Sequence, residues 1–218
     1  MIESNGKIKK PSEKREIMPR FEASALRGYC VSVLTASGVE RSCAEAVADA
    51  LIDAELTGVS THGVSRLAVY MQRMDAGVMS RENNIRIVRE STSTLVVDAG
   101  NSLGAAAAKF AMERCIAKAK ETGCCFASVH SSNHFGTAAY YTRLAAAQDM
   151  IGFACTNLKG KIAPFGSAEP YMGTNPISVA APSDDLPVVL DMAERCGAGQ
   201  AHSGAEAGKV YSRGLGTG

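Results

Sequence analysis

His62 and Arg66 stand four residues apart in Thr61-His62-Gly63-Val64-Ser65-Arg66, beside a glycine at which regular structure should break. A neutral imidazole can give or take a proton near neutral pH, and a guanidinium grips a carboxylate with two parallel hydrogen bonds. The pair suits a 2-oxo or 2-hydroxy acid: Arg66 would hold the carboxylate and His62 would serve the adjacent oxygen. A helix beginning here would place both on one face. A capping histidine beside a solvated arginine is the plainer alternative. A second histidine, His134, lies in Ser132-Asn133-His134-Phe135-Gly136, after an apolar stretch and before a helical one. Ligands of open α/β sheets collect beyond the C-terminal ends of strands, and Gly136 would let a bulky ligand approach the backbone. A histidine bonded within its own turn explains the same residues. His130 has no motif around it and reads as a strand-end residue.

Two further segments carry polar groups at backbone breaks. Gly173-Thr174-Asn175-Pro176 by itself reads as a turn, since Gly allows positive φ and Pro fixes the backbone after it. Leu190-Asp191-Met192-Ala193 closes an apolar run. Asp191 could accept from a ribose hydroxyl, orient a catalytic group, or simply end a strand. No G-x-G-x-x-G follows an expected strand, so the Rossmann phosphate-loop argument does not apply. Gly197-Ala198-Gly199 has no strand–turn–helix context.

The elements that must position these groups begin with helices. Apolar residues at helical spacing predict a helix over 21–36 ending at Gly38, and Ser42-Cys43-Ala44-Glu45 fits a capping box opening a helix to Leu56. A third helix is expected over 64–76. Strands are expected at 85–89 and 94–97, then an Ala-rich helix over 104–121 closed by Gly123. From there strands at 124–129, 151–156, 177–181 and 187–190 alternate with a helix over 137–147 and an irregular stretch at 159–176. Long loops of that kind tend to be functional. The fold class is α/β, a helical N-terminal segment followed by a mixed sheet with packed helices. The expected organisation is a disordered extension at 1–19, a helical region at 20–80, an α/β binding region at 81–193, and a tail of different character at 194–218.

A chain of 218 residues with 46% hydrophobic and 21% charged residues is ordinary for a globular protein. A net charge of +1 gives no argument for nucleic acid or a membrane surface. The first residues mix Glu3, Glu13 and Glu16 with Lys and Arg and lack the apolar centre of a signal peptide, so a cytoplasmic location is expected. The seven cysteines include no C-x-x-C pair, and Cys124-Cys125 opens an apolar stretch that reads as a buried strand. No metal site is expected, and no cysteine sits in a nucleophile-presenting turn near a histidine.

The four segments, in this order and at this spacing, resemble the malate/L-lactate dehydrogenase family of NAD(P)-dependent oxidoreductases, from about Phe21 to Ala193. The resemblance implies the non-Rossmann fold of L-sulfolactate and malate dehydrogenases. It also implies hydride transfer between NAD or NADP and a small 2-hydroxy or 2-oxo acid, with a small carboxylate as substrate and a homodimer in the full-length form. It implies His62 or His134 as the catalytic acid/base, since members have been described with either histidine in that role. Arg66 and Asn133 would bind substrate. Gly173, Thr174, Asn175 and Pro176, with Val188, Val189, Leu190, Asp191, Met192 and Ala193, would line the cofactor. Leu158 departs from the family, which often has Ser or Thr there approaching the cofactor. The alternatives are a ureidoglycolate or cyclic-imine carboxylate oxidoreductase, or an inactive truncated relic.

Residues 194–218 are rich in Gly and poor in apolar periodicity. Back-translated with permissible codons and read one nucleotide later, they can encode SVVARGKHILARKRGKSIPEGWAL, close to what the family carries after its Asp-Met-Ala segment. A frameshift near Ala193–Glu194 is therefore expected, with the last third of the family's length missing.

Overall fold

The helix-first expectation holds in the computed structural model, which describes residues 20–160, 162–163 and 166–193. Three helices open the chain: α1 (Ala23–Ala36), α2 (Arg41–Leu56) and, after a short 3-10 turn at Ser60–His62, α3 (Arg66–Asp75). Strands β1 (Arg86–Glu90) and β2 (Thr94–Asp98) precede the long helix α4 (Gly104–Thr122). Then come β3 (Phe126–His130), α5 (Ala138–Ala146), β4 (Gly152–Cys155), β5 (Ile177–Ala181) and β6 (Val188–Met192). The chain divides into two compact units, Met1–Tyr140 and Tyr141–Gly218.

In the first unit α2 packs against α1 and α4, and α4 lies on β2 and β3. Cys30 and Leu34 of α1, Val47 and Leu51 of α2, and Leu95 and Val97 of β2 are buried. Ala44 and Ala48 on α2, and Ala107 and Ala111 on α4, are buried at four-residue spacing. Such small side chains let neighbouring helices approach closely. Asp49 ties the three helices together through Arg27 of α1 (2.6 Å) and Lys109 of α4 (3.0 Å). Burial pushes the Asp49 carboxyl up, but the hydrogen bonds and charges of Arg27 and Lys109 outweigh it and hold the group below its usual range. The sheet order is β1-β2-β3, antiparallel then parallel.

In the second unit β4, β5 and β6 form a separate, wholly antiparallel sheet. Thr142 of α5 and Ser178 of β5 share a hydrogen bond at 2.9 Å, both buried. Gly152 has no side chain because a Cβ there would collide with the Thr142 carbonyl oxygen.

Several local expectations are corrected. The capping box does not form: α2 starts at Arg41, two residues before a helix capped by Ser42 would, with Glu40 as its N-cap, and the Ser42 hydroxyl donates to the Glu40 carboxylate instead. A short side chain beside a carboxylate at the helix mouth bonds to it more readily than to the backbone. The single sheet becomes two. Cys124 is exposed and precedes β3 rather than sitting within a buried strand. Cys155 is exposed as well, whereas Cys30 and Cys43 are buried. β6 runs through Asp191 to Met192, so Asp191 lies within the strand, opposite Ser178. The tail at 194–218 and the extension at 1–19 lie outside the described residues.

Candidate active site

The turn that carries His62 is built against α2. Gly58 reverses the chain after α2 with φ of 78°, and the His62 N–H donates to the Val59 carbonyl at 2.8 Å. Glu55, near the end of α2, accepts from the Val64 N–H at 2.8 Å. Its carboxylate stands where a Cβ on Gly63 would, so a larger residue there would push the Glu55 side chain aside. Because Gly63 is extended, His62 and Arg66 do not share a helix as expected: the helix starts only at Arg66. Arg66 instead folds back, its Nε donating to the Thr61 carbonyl at 2.6 Å. That is its hydrogen bond among the described residues, so the terminal guanidinium nitrogens remain to meet a carboxylate end-on.

His134 arrives from the other side of the unit. β3 ends at His130, and Ser131 turns the chain at φ of 52°. The Asn133 amide donates to the Asn101 carbonyl (3.0 Å), the Asn101 side-chain oxygen (2.9 Å) and the Ser102 carbonyl (3.0 Å). Its own side-chain oxygen accepts from Arg73 over a long 3.4 Å. Asn133, expected beside the substrate, thus spends its amide hydrogens clamping the two loops together. Gly104, opening α4, packs so closely on this segment that a Cβ would strike the Asn133 carbonyl oxygen.

The two expected histidines are brought together. Their rings stack with centroids 5.4 Å apart and planes inclined by 28°. The Thr61 hydroxyl lies 3.0 Å from His62 Nδ1, and the Tyr70 hydroxyl lies 2.8 Å from His134 Nδ1. Burial pushes the Tyr70 phenol up to about 12, with the Arg66 charge acting the other way. Tyr70 is the residue that sequence reasoning missed. It stands one helical turn beyond Arg66 on α3, and an aromatic at that spacing reads as core. Nothing in the sequence links it to His134 across the unit. Two imidazoles beside a guanidinium can hold a carboxylate and exchange one proton with a neighbouring oxygen.

The expected cofactor residues belong to the second unit. Asn175, at φ of 33°, accepts from the Leu158 N–H at 3.3 Å, and a Cβ on Gly173 would collide with the Leu158 carbonyl. The Thr156 N–H donates to the Pro176 carbonyl at 3.2 Å, and Ile162 pairs with Met172. The stretch expected to be irregular is therefore laced to itself. On β6, Val188, Leu190 and Met192 point to one face and are exposed; Val189 and Asp191 alternate with them. The Thr174 hydroxyl and, on the face of β6 away from Val188, Leu190 and Met192, the Asp191 carboxylate are groups that ribose hydroxyls pair with; the apolar side of β6 is of the kind a heteroaromatic ring packs on. The donor set fits a dinucleotide to that extent.

A cavity of about 380 Å³ lies elsewhere in the first unit, lined by Arg27, Glu45, Asp49, Lys109, Phe110 and Glu113 among others, and holds neither histidine. Among the described residues no helix is long and apolar enough to cross a membrane.

The family model described as malate/L-lactate dehydrogenase matches residues 21–210, beyond the Ala193 at which the motif reading ends. Malate dehydrogenase from Pyrococcus horikoshii is 41% identical over 174 residues, covering 80% of this chain and 48% of that one. Malate/(S)-sulfolactate dehydrogenase from Methanothermus fervidus is 37% identical, over 76% of this chain and 49% of the relative. Ureidoglycolate dehydrogenase (NAD(+)) from Escherichia coli is 33% identical, over 73% of this chain and 46% of the relative. The solved structure of the Pyrococcus horikoshii malate dehydrogenase superposes with a TM-score of 0.78 at 40% identity, covering 80% of this chain and 50% of that one. The chain spans about half the length of the curated relatives it matches.

Proposed function

The chain belongs to the malate/L-lactate dehydrogenase family, and from that premise we propose an oxidoreductase of small 2-hydroxy and 2-oxo acids. Bound NAD or NADP would supply or accept the hydride. Arg66 grips the substrate carboxylate through its terminal nitrogens, and His62 and His134 serve the oxygen on the neighbouring carbon. Gly173, Thr174, Asn175 and Pro176, with Val188 to Ala193, hold the dinucleotide. Homodimerisation and a cytoplasmic location go with this reading. The observation that carries it is the stacked His62–His134 pair, with Arg66 one short turn away.

The test is a fluorescence titration of the purified chain with NADH and NADPH, followed by turnover of malate, sulfolactate and lactate. Binding of either nucleotide with turnover of a carboxylate is the expected result; no binding of either removes the reading. In a protein that turns over, Arg66→Met should raise KM for the carboxylate about 10- to 100-fold, the worth of a charge-assisted hydrogen bond of about 1.5–3 kcal/mol. An unchanged KM takes Arg66 out of its role. A second substrate class, ureidoglycolate, is supported by the 33% identical ureidoglycolate dehydrogenase, and the same assay separates it.

A further inference from the structure

The Tyr70 side chain is only 3% exposed, and its hydroxyl lies 2.8 Å from His134 Nδ1. A phenol has one hydrogen to donate. Among the described residues His134 Nδ1 is its hydrogen-bond partner. Were the imidazole to donate an N–H to the phenol oxygen, the phenolic hydrogen would be buried without an acceptor, an arrangement that proteins avoid. The O–H therefore donates and Nδ1 accepts. Burial holds the phenol protonated throughout the range in which imidazoles titrate.

We propose that Tyr70 is a positioning residue that fixes His134 as the neutral tautomer protonated on Nε2. The stacked histidines are then inequivalent. His62 has at Nδ1 the exposed Thr61 hydroxyl, which rotates to give or accept and so suits either protonation state. His134 has a buried donor that accommodates only an unprotonated Nδ1. Within the hydroxy-acid reading, on which its catalytic meaning rests, His134 offers a hydrogen to the substrate oxygen while His62 exchanges the proton. The tautomer itself does not depend on that reading.

The experiment is a long-range proton–nitrogen correlation spectrum of the ¹⁵N-labelled chain under mildly basic conditions. Its four histidines are assigned from the single variants His62→Gln, His130→Gln, His134→Gln and His202→Gln. The expected spectrum shows His134 with an unprotonated Nδ1 and a protonated Nε2, without averaging. In Tyr70→Phe, folded by circular dichroism, the share of that ring protonated on Nδ1 should rise. A protonated Nδ1 or an averaged ring in the unsubstituted chain overturns the proposal, as does an unchanged His134 in folded Tyr70→Phe. Should Tyr70→Phe not fold, the unsubstituted spectrum alone decides. A fixed His134 in a chain that binds no nicotinamide would sink the functional reading and leave this role standing. Turnover with an averaged His134 would do the reverse.

Discussion

Both three-stranded sheets bury one face, but they turn opposite chemistry to the outside. On the first, β2 places Leu95 and Val97 inward while Thr94, Val96 and Asp98 face out. Asp98 meets Arg86 across the strand pair at 2.5 Å, and His130 stands 3.7 Å from it in register. The Gly100 N–H and, less strongly, the Arg86 charge hold the Asp98 carboxyl low. Only Val88 and Phe126 interrupt this polar surface with large exposed apolar groups. On the second sheet, Phe153, Val179 and Leu190 lie in register, as do Cys155, Ile177 and Met192. Phe153, Ile177, Val188, Leu190 and Met192 are all exposed on that face. One sheet is finished against water on its outer side. The other shows the one-sided polarity expected of a surface that meets something apolar.

Matched truncations test the contrast. Leu95→Ala should lower stability by about 2–5 kcal/mol, the range for emptying a buried leucine site. Leu190→Ala should change it by no more than about 0.5 kcal/mol. Equal losses in thermal melts would mean that the second sheet is covered in solution. Within the second unit, Thr142→Val strands the buried Ser178 hydroxyl and should cost about 1–3 kcal/mol. Adding Ser178→Ala should recover part of it, because it removes the stranded hydroxyl. In the first unit, Asp49→Asn should cost roughly 1–2 kcal/mol by loosening the tie among α1, α2 and α4. Since Asp49 titrates below its ordinary range, its contribution is complete above the unfolded carboxylate pKa and fades as pH falls through the folded value. Acid melts of Asp49→Asn should therefore converge on those of the parent chain. The smallest stability effect belongs to Leu190→Lys, which should leave the melt nearly unmoved yet reduce binding of an apolar dye. Unchanged dye fluorescence would place the sticky surface elsewhere.

The sequence foretold the helices better than their beginnings. Gly38, Gly58, Gly77 and Gly123 all follow helices at positive φ, where a side chain is disfavoured, so the stops were local and legible. The start of α2 was decided by a contest between Glu40 and the backbone for the Ser42 hydroxyl, which periodicity does not register. His62, Arg66 and His134 were singled out because Gly and turn residues flank them. Tyr70 was hidden because its partner is distant along the chain, and an aromatic on a helix face looks the same whether or not its hydroxyl has work to do. The division into two sheets escaped notice for a related reason: strand lengths show in a sequence, but which strands pair depends on contacts between remote segments. Asp191 was misplaced by only a strand end, yet that shift moved it from a turn into the ladder opposite Ser178.

The Tyr70–His134 bond joins residues 64 positions apart. A contact of that sequence separation must close against the loop entropy of the intervening chain, so no short segment forms it alone. The histidine stack, with Tyr70 in the adjoining helix and Asn133 in the facing loop, is therefore not inherited from any local segment. A partly assembled first unit would contain every one of these side chains and none of their geometry. The ring environment of His134 thus doubles as a gauge of completion, reporting from one side chain that helices and sheet have both arrived.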